Sequence, residues 1–255
     1  MKNLIACRIF SYGNYQERGW SHLREIGCTN VEVPVFEPAE LPKIRAKLAE
    51  NGLTATSVIA KTDVAQDTAV EVMKPQLDAC ASLGSKFCFL SVKAGDADRA
   101  KVWERLRGIG DKAAARGITV VLETHPDLLM NGDLARETMQ AVNHPNVRVN
   151  FDTANIYFYN QGTTAVAELQ KVIEYVGAVH LKDTPGGYQE WTFPALGTGV
   201  VDFPEIFRLL NARGFYGPFT MELEGTKGLE RTEAEQLAYV AESVAYLRRI
   251  GVMQD

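Results

Sequence analysis

Four short apolar runs in the second half of the chain each end on a side chain that can bind a cation or move a proton. They read Val120-Val121-Leu122-Glu123, Val149-Asn150-Phe151-Asp152, Val179-His180-Leu181-Lys182-Asp183 and Phe219-Thr220-Met221-Glu222. Glu123, Asp152, His180 and Glu222 offer three carboxylates, one imidazole and no thiolate. That set suits one Mn²⁺, with Mg²⁺ or Co²⁺ as alternatives and coordination positions left open, better than a structural Zn²⁺. Taken singly, each residue is as well explained as a helix cap, a surface carboxylate or a hydrogen-bonded core histidine. Four in succession are not, because carboxylates gathered in an interior are costly without a cation.

Such a set needs strands that converge, and the chain supplies them. Strand patterns fall at Leu4–Ile9, Asn30–Val35, Thr54–Ile59, Phe87–Val92, Thr119–Glu123, Arg148–Asp152, Ala178–Lys182 and Phe219–Leu223. Helical periodicity fills the gaps, at Tyr15–Ile26, Pro42–Asn51, Ala69–Leu83, Ala97–Arg116, Leu134–Val142, Ala165–Val176, Phe203–Ala212 and Thr232–Ile250. Gly27, Gly52, Gly84, Gly117, Gly214 and Gly251 stand where helices should stop. Eight β-then-α units imply parallel strands joined by right-handed crossovers, and no strand reads as a polar edge. The expectation is an α/β fold, a single (β/α)₈ TIM barrel forming one domain over residues 1–255, with its chemistry at the C-terminal strand ends. An open doubly wound sheet fits the same alternation, but Gly186-Gly187, Gly197 and Gly199 do not make a dinucleotide-binding turn between strand and helix.

Composition narrows the partners. The 255 residues are 46% hydrophobic, enough for one large core, and the net charge is −5 from 27 basic and 32 acidic residues. Without a basic stripe, nucleic acid is not an expected partner. No apolar run is long enough to span a membrane and the first ten residues lack a signal-peptide pattern, so a cytoplasmic location is expected. Cys7, Cys28, Cys80 and Cys88 lack metal-ligand spacing and read as buried, reduced thiols. A homo-oligomer is compatible with all of this.

Five motifs carry a family resemblance: Leu122-Glu123-Thr124-His125-Pro126, Phe151-Asp152-Thr153-Ala154-Asn155, Val179-His180-Leu181-Lys182-Asp183, Leu196-Gly197-Thr198-Gly199-Val200-Val201-Asp202-Phe203, and Met221-Glu222. Together they resemble the sugar phosphate isomerase/epimerase superfamily, the xylose isomerase-like barrels that include ketose 3-epimerases, hydroxypyruvate isomerase, inosose dehydratase and endonuclease IV. The resemblance spans essentially the whole chain and is most specific over its second half. It implies a metal held by Glu123, Asp152, His180 and Glu222, with both glutamates handling protons. Asn155 stands where the ketose epimerases usually carry a histidine, and Thr184-Pro185-Gly186-Gly187 where they tend to carry an arginine. Those positions usually touch substrate, so its identity stays open. The endonuclease branch needs more histidines than His22, His125, His144 and His180 supply.

The fifth and eighth strands lie three places apart in a ring of eight, so Glu123 and Glu222 should face a bound substrate from nearly opposite sides. A carbonyl and a neighbouring hydroxyl chelated to the metal would then lose an α-proton to one carboxylate and regain one from the other, through a metal-stabilised enediolate. The expected activity is a divalent-metal-dependent epimerase or isomerase of a sugar or keto-sugar. Alternatives are a dehydratase or lyase of a keto-sugar or keto-inositol acting by β-elimination, and a non-catalytic barrel subunit, although intact ligands on all four strands argue against the last. A phosphorylated substrate is not expected, since little besides Gly225-Thr226-Lys227-Gly228 follows the last strands to hold a phosphate.

Substrate contacts are expected from His125 and Lys182, which share strand parity with the ligands, and from Asn155 and Trp191 in the following loops. Lys182 is also a candidate acid for a leaving hydroxyl. Asp183 reads as an orienting or loop-capping residue, Glu224 as loop, and Tyr157-Phe158-Tyr159 as packing or subunit interface. Glu32 and Lys93 end strands two and four and are further candidate substrate contacts.

Overall fold

In the computed structural model, which describes residues 1–254, the eight expected strands close into one all-parallel barrel. They are β1 (Ile5–Arg8), β2 (Asn30–Pro34), β3 (Thr54–Ala60), β4 (Phe87–Leu90), β5 (Thr119–Glu123), β6 (Val147–Asp152), β7 (Val176–Leu181) and β8 (Phe219–Met221), paired in chain order, with β8 returning to β1. Eight helices surround them: α1 (Gln16–Glu25), α2 (Leu41–Asn51), α3 (Ala69–Ser82), α4 (Arg99–Ala114), α5 (Gly132–Val142), α6 (Ala165–Val172), α7 (Phe203–Ala212) and α8 (Glu233–Arg249). Among the described residues no helix is long and apolar enough to cross a membrane.

Short polar residues start the helices. The side chains of Asp98, Asn131 and Asp202 accept hydrogen bonds from Ala100, Leu134 and Glu205 backbone N–H groups, and Thr232 with Glu235 forms a capping box ahead of α8. Each cap is worth about 1 kcal/mol. Gly52 stops α2 at φ 61°, a left-handed conformation that a β-carbon would disfavour.

Alternation along the strands makes two layers. One face of each strand packs outward on the helices, placing Cys7, Val33, Leu90, Leu122, Phe151 and Met221 in one core with Leu23, Leu77, Met139, Phe207 and Leu247. Inside the barrel, Ile59, Phe89, Val121 and Ala178 form a second, smaller apolar cluster. His180 stacks on Phe89 with ring centroids 4.7 Å apart, so this cluster abuts a polar layer at the C-terminal strand ends.

Three local features depart from the sequence reading. The helix expected over Ala165–Val176 ends at Val172, a 3₁₀ turn covers Ile173–Tyr175, and Val176 already pairs with Val149. The β-branched and aromatic run Val172-Ile173-Glu174-Tyr175-Val176 favours extended chain over another helical turn. The aromatic run past β6 forms a short helix, Asn155–Tyr159. Finally, Thr192–Phe193 and Gly225–Thr226 make an antiparallel ribbon joining the loops after β7 and β8.

Candidate metal centre and active site

Glu123, Asp152, His180 and Glu222 meet at the barrel mouth, each offering one ligand atom so that all four atoms lie within 4.8 Å of one another. Strand parity brings them there: Asp152 pairs with His180 across β6 and β7, and the Glu222 N–H continues the ladder by donating to Leu181 O at 3.0 Å. Asp152 Oδ1 accepts the N–H groups of Ala154 and Asn155 at 2.9 and 2.8 Å, which turns Oδ2 toward the other three residues. His180 Nε2 faces Glu32, at 3.2 Å from Oε1, and Nδ1 faces Glu222, at 3.3 Å from Oε2.

Two observations test whether a cation fits. Asp152 Oδ2 and His180 Nδ1 are buried and have no hydrogen-bond partner, although such orphans are rare. Around them stand five carboxylates, those of Glu32, Glu123, Asp152, Glu222 and Glu224, against two cations, Arg8 and Lys182. A divalent ion would satisfy both orphaned atoms and offset most of the excess negative charge. The donor set therefore fits the group.

The cations are unevenly shared. Lys182, 2% exposed, places Nζ 2.9 Å from Glu222 Oε2, 2.9 Å from Glu224 Oε2 and 3.0 Å from Asp152 Oδ2, the last outside the hydrogen-bonding direction. Burial alone would lower its pKa, but the charges of Asp152, Glu224 and Glu123 outweigh burial and raise it, so the ammonium stays charged. Arg8 grips Glu222 Oε1 and lies 4.9 Å over the Phe89 ring. Glu123 has no ion-pair partner at contact distance among the described residues and feels Lys182 only from further away.

A cavity of about 240 Å³ opens over the cluster, and its lining includes Glu123, Glu222, His125, Asn155, Lys182 and Trp191, all expected from the sequence. His125 Nδ1 lies 2.8 Å from Pro126 O, and its ring meets Tyr159 edge-on. Asn155 donates to Thr124 O at 2.9 Å, bracing the β5 end against the β6 end beside the cavity. Trp191 is 43% exposed and packs edge-on against Phe158 and Phe193.

The structure adds Arg8, Phe89, Phe158, Tyr159, Phe193 and Glu224 to this lining. Phe158 and Tyr159 therefore form cavity wall, where the sequence suggested packing or an interface. Burial and then the charge of Glu123 push the Tyr159 phenol up to about 12, so it stays neutral. Glu224 pairs with Lys182 and is no mere loop residue. Glu32 corrects the opposite way: at 2% exposed it sits behind His180, outside the cavity. Lys93 is exposed and lines no part of it. Arg8 was within reach of the sequence, because a charged residue interrupting Leu4–Ile9 at one parity is the same signal that found His180.

Two devices hold the loops around the cavity. Asp183, fully buried, accepts N–H groups of Gly197, Gly199 and Val201 at 2.8, 2.9 and 3.2 Å, so it caps the loop as its sequence context suggested. Gly199 is needed there, since a β-carbon would collide with the Asp183 carboxylate and the Thr184 carbonyl. The ribbon pairs Phe193 with Gly225, and Tyr239 Oη donates to Phe193 O at 2.6 Å.

Comparison with known proteins agrees with this architecture. The family described as xylose isomerase-like TIM barrel matches residues 20–250. The chain is 28% identical over 223 residues to a ketose 3-epimerase of Arthrobacter globiformis, covering 78% of this chain and 74% of that protein. It is 27% identical over 229 residues to an L-ribulose-5-phosphate 3-epimerase of Salmonella heidelberg strain SL476, covering 78% and 79%. An inosose dehydratase of Erwinia tasmaniensis is 27% identical over 154 residues, 54% of this chain and 50% of that protein.

Proposed function

Since the chain belongs to the xylose isomerase-like TIM barrel family, we propose that it is a divalent-metal-dependent epimerase or isomerase of a keto-sugar, acting by proton abstraction next to a carbonyl. One observation carries the reading: four candidate ligand atoms converge within 4.8 Å, two of them buried and without hydrogen-bond partners, and the other two residues, Glu123 and Glu222, line a cavity. The epimerase relatives support a sugar substrate. So does the aromatic wall of Phe158, Trp191 and Phe193, a surface suited to the C–H face of a sugar.

Glu123, Asp152, His180 and Glu222 would hold the ion, for which Mn²⁺ is the first candidate. When bound, it supplies Lewis-acid polarisation of a carbonyl. Among the described residues no cation contacts Glu123, which is the carboxylate free to take the proton from the neighbouring carbon. Glu222 is held by a hydrogen bond from Lys182 at 2.9 Å and by Arg8, which orient its carboxyl toward the other face. There it would deliver a proton taken up from solvent before the substrate binds, while the proton taken by Glu123 returns to solvent. Phe158, Tyr159 and Trp191 wall the cavity and limit water around the reacting carbon.

Elimination is the second reading, favoured by the placement of the Lys182 ammonium in the cavity lining, where it could protonate a leaving hydroxyl. Incubating the metal-loaded protein with a panel of keto-sugars in deuterated water separates the two. An epimer carrying one solvent deuterium next to the carbonyl supports the first reading, and a product lighter by one water supports the second. Absence of either product across the panel, with metal bound, would overturn both.

A further inference from the structure

We infer that Glu32, which never touches the cavity, is the positioning residue that makes His180 a metal ligand by fixing which ring nitrogen carries the proton; the inference rests on the metal site proposed above. Glu32 is buried on β2, on the far side of the barrel from β7; its Oε2 pairs with His180 Nε2 at 3.5 Å, and Oε1 lies 3.2 Å from the same nitrogen, off the hydrogen-bonding direction. A hydrogen bond from one neighbouring strand holds it, and a charge on the other faces it without bonding. Ser57 on β3 donates to Oε2 at 2.6 Å, and Arg8 on β1 brings Nε to 3.6 Å from Oε1. Phe89 stacks on the imidazole at an interplanar angle of 25°, which fixes the ring plane.

An ionised carboxylate only accepts hydrogen bonds, so a neutral His180 facing Glu32 must carry its proton on Nε2. The lone pair is then on Nδ1, the buried atom that has no hydrogen-bond partner and lies 3.3 Å from Glu222 Oε2. Without Glu32, the ring is free to adopt the other tautomer, in which Nδ1–H donates to Glu222 and no lone pair is left for an ion. Carboxylates behind ligating histidines act this way generally, and their loss weakens metal binding about 10- to 100-fold.

The test uses the full chain and Mn²⁺. In metal-free protein, ¹⁵N spectra of His180 should show the Nε2–H tautomer in the wild type and a mixture of tautomers in Glu32→Gln, whose amide can donate or accept. Chelator competition should show Mn²⁺ binding about 10- to 100-fold weaker in Glu32→Gln. Ser57→Ala, a milder change that leaves the carboxylate in place, should fall between this variant and the wild type. Melting curves in chelator establish that each variant is folded. A wild-type chain that takes up no Mn²⁺ would sink the metal site and this proposal with it. If the wild type binds Mn²⁺ and folded Glu32→Gln binds it equally well, or if wild-type His180 carries its proton on Nδ1, only the role of Glu32 is overturned.

Discussion

Lys182 Nζ and His180 Nδ1 reach the same oxygen of Glu222, at 2.9 and 3.3 Å, so a fixed ammonium and a candidate metal ligand converge on one carboxylate atom. Lys182 also lies 3.0 Å from Asp152 Oδ2, a second candidate ligand atom. A bound cation would have this ammonium as a near neighbour.

Lys182→Met should therefore tighten Mn²⁺ binding, by about tenfold or more, since unit charges about 4 Å apart interact by about 4 kcal/mol at an effective dielectric constant of 20. Turnover should fall in the same variant. Titration calorimetry on chelator-treated protein reads the affinity, and weaker binding in the variant would contradict this electrostatic account.

Asp152→Ala and His180→Ala each remove a buried candidate ligand and should lower Mn²⁺ affinity by about 10²-fold or more, exceeding the loss expected from a partner behind a ligand. His125→Ala removes a side chain held on Pro126 O and Tyr159, so its metal affinity should stay within about threefold of wild type while KM rises. Metal analysis after dialysis checks the order. Equal metal retention in all three variants would dissolve the assignment.

Glu123→Gln and Glu222→Gln keep an oxygen ligand and the side-chain volume but remove a base. Each should lower kcat by about 10²-fold or more. Their exchange behaviour should differ, because only Glu222 is gripped by Arg8 and Lys182. Glu222→Gln should still wash solvent deuterium into unreacted substrate through Glu123, whereas Glu123→Gln should not. Identical exchange in both variants would show that the asymmetry has no bearing on proton transfer.

The barrel and the clustering of four candidate ligands were legible because they are periodic. Glu123, Asp152, His180 and Glu222 stand at the C-terminal ends of four successive strand patterns, and the structure brings them together. What escaped depends on the direction of long side chains after the chain has closed on itself. Glu224 lies 42 residues from Lys182 and Glu32 lies 148 from His180, pairings that no local pattern announces. The ribbon was hidden for a related reason: each of its strands is only two residues long, too short to show alternation.

Away from the site, Glu168 offers a stability test. Burial alone would raise its pKa, but hydrogen bonds from Thr163 and Lys171, and from the Gly132 N–H at the start of α5, outweigh it and hold the carboxyl below its ordinary 4.5. A depressed carboxylate contributes stability that is present above its ordinary value and lost as pH falls through the folded one. Glu168→Gln should cost about 1–3 kcal/mol at pH 7. Thermal melts from pH 7 downward should show the gap between wild type and variant narrowing below pH 4.5; a gap independent of pH would mean that the charge contributes nothing.

The Phe193–Gly225 ribbon has a consequence for recombination. With Lys227 N–H donating to Trp191 O at 3.0 Å and Asp183 binding residues 197–201 from within, the segments after β7 and β8 share one backbone lattice. A chimera that imports a relative's segment 183–202 alone would leave Gly225 and Lys227 facing a foreign strand. Both segments must be exchanged as one cassette, and selection acting on substrate preference would meet the same linkage.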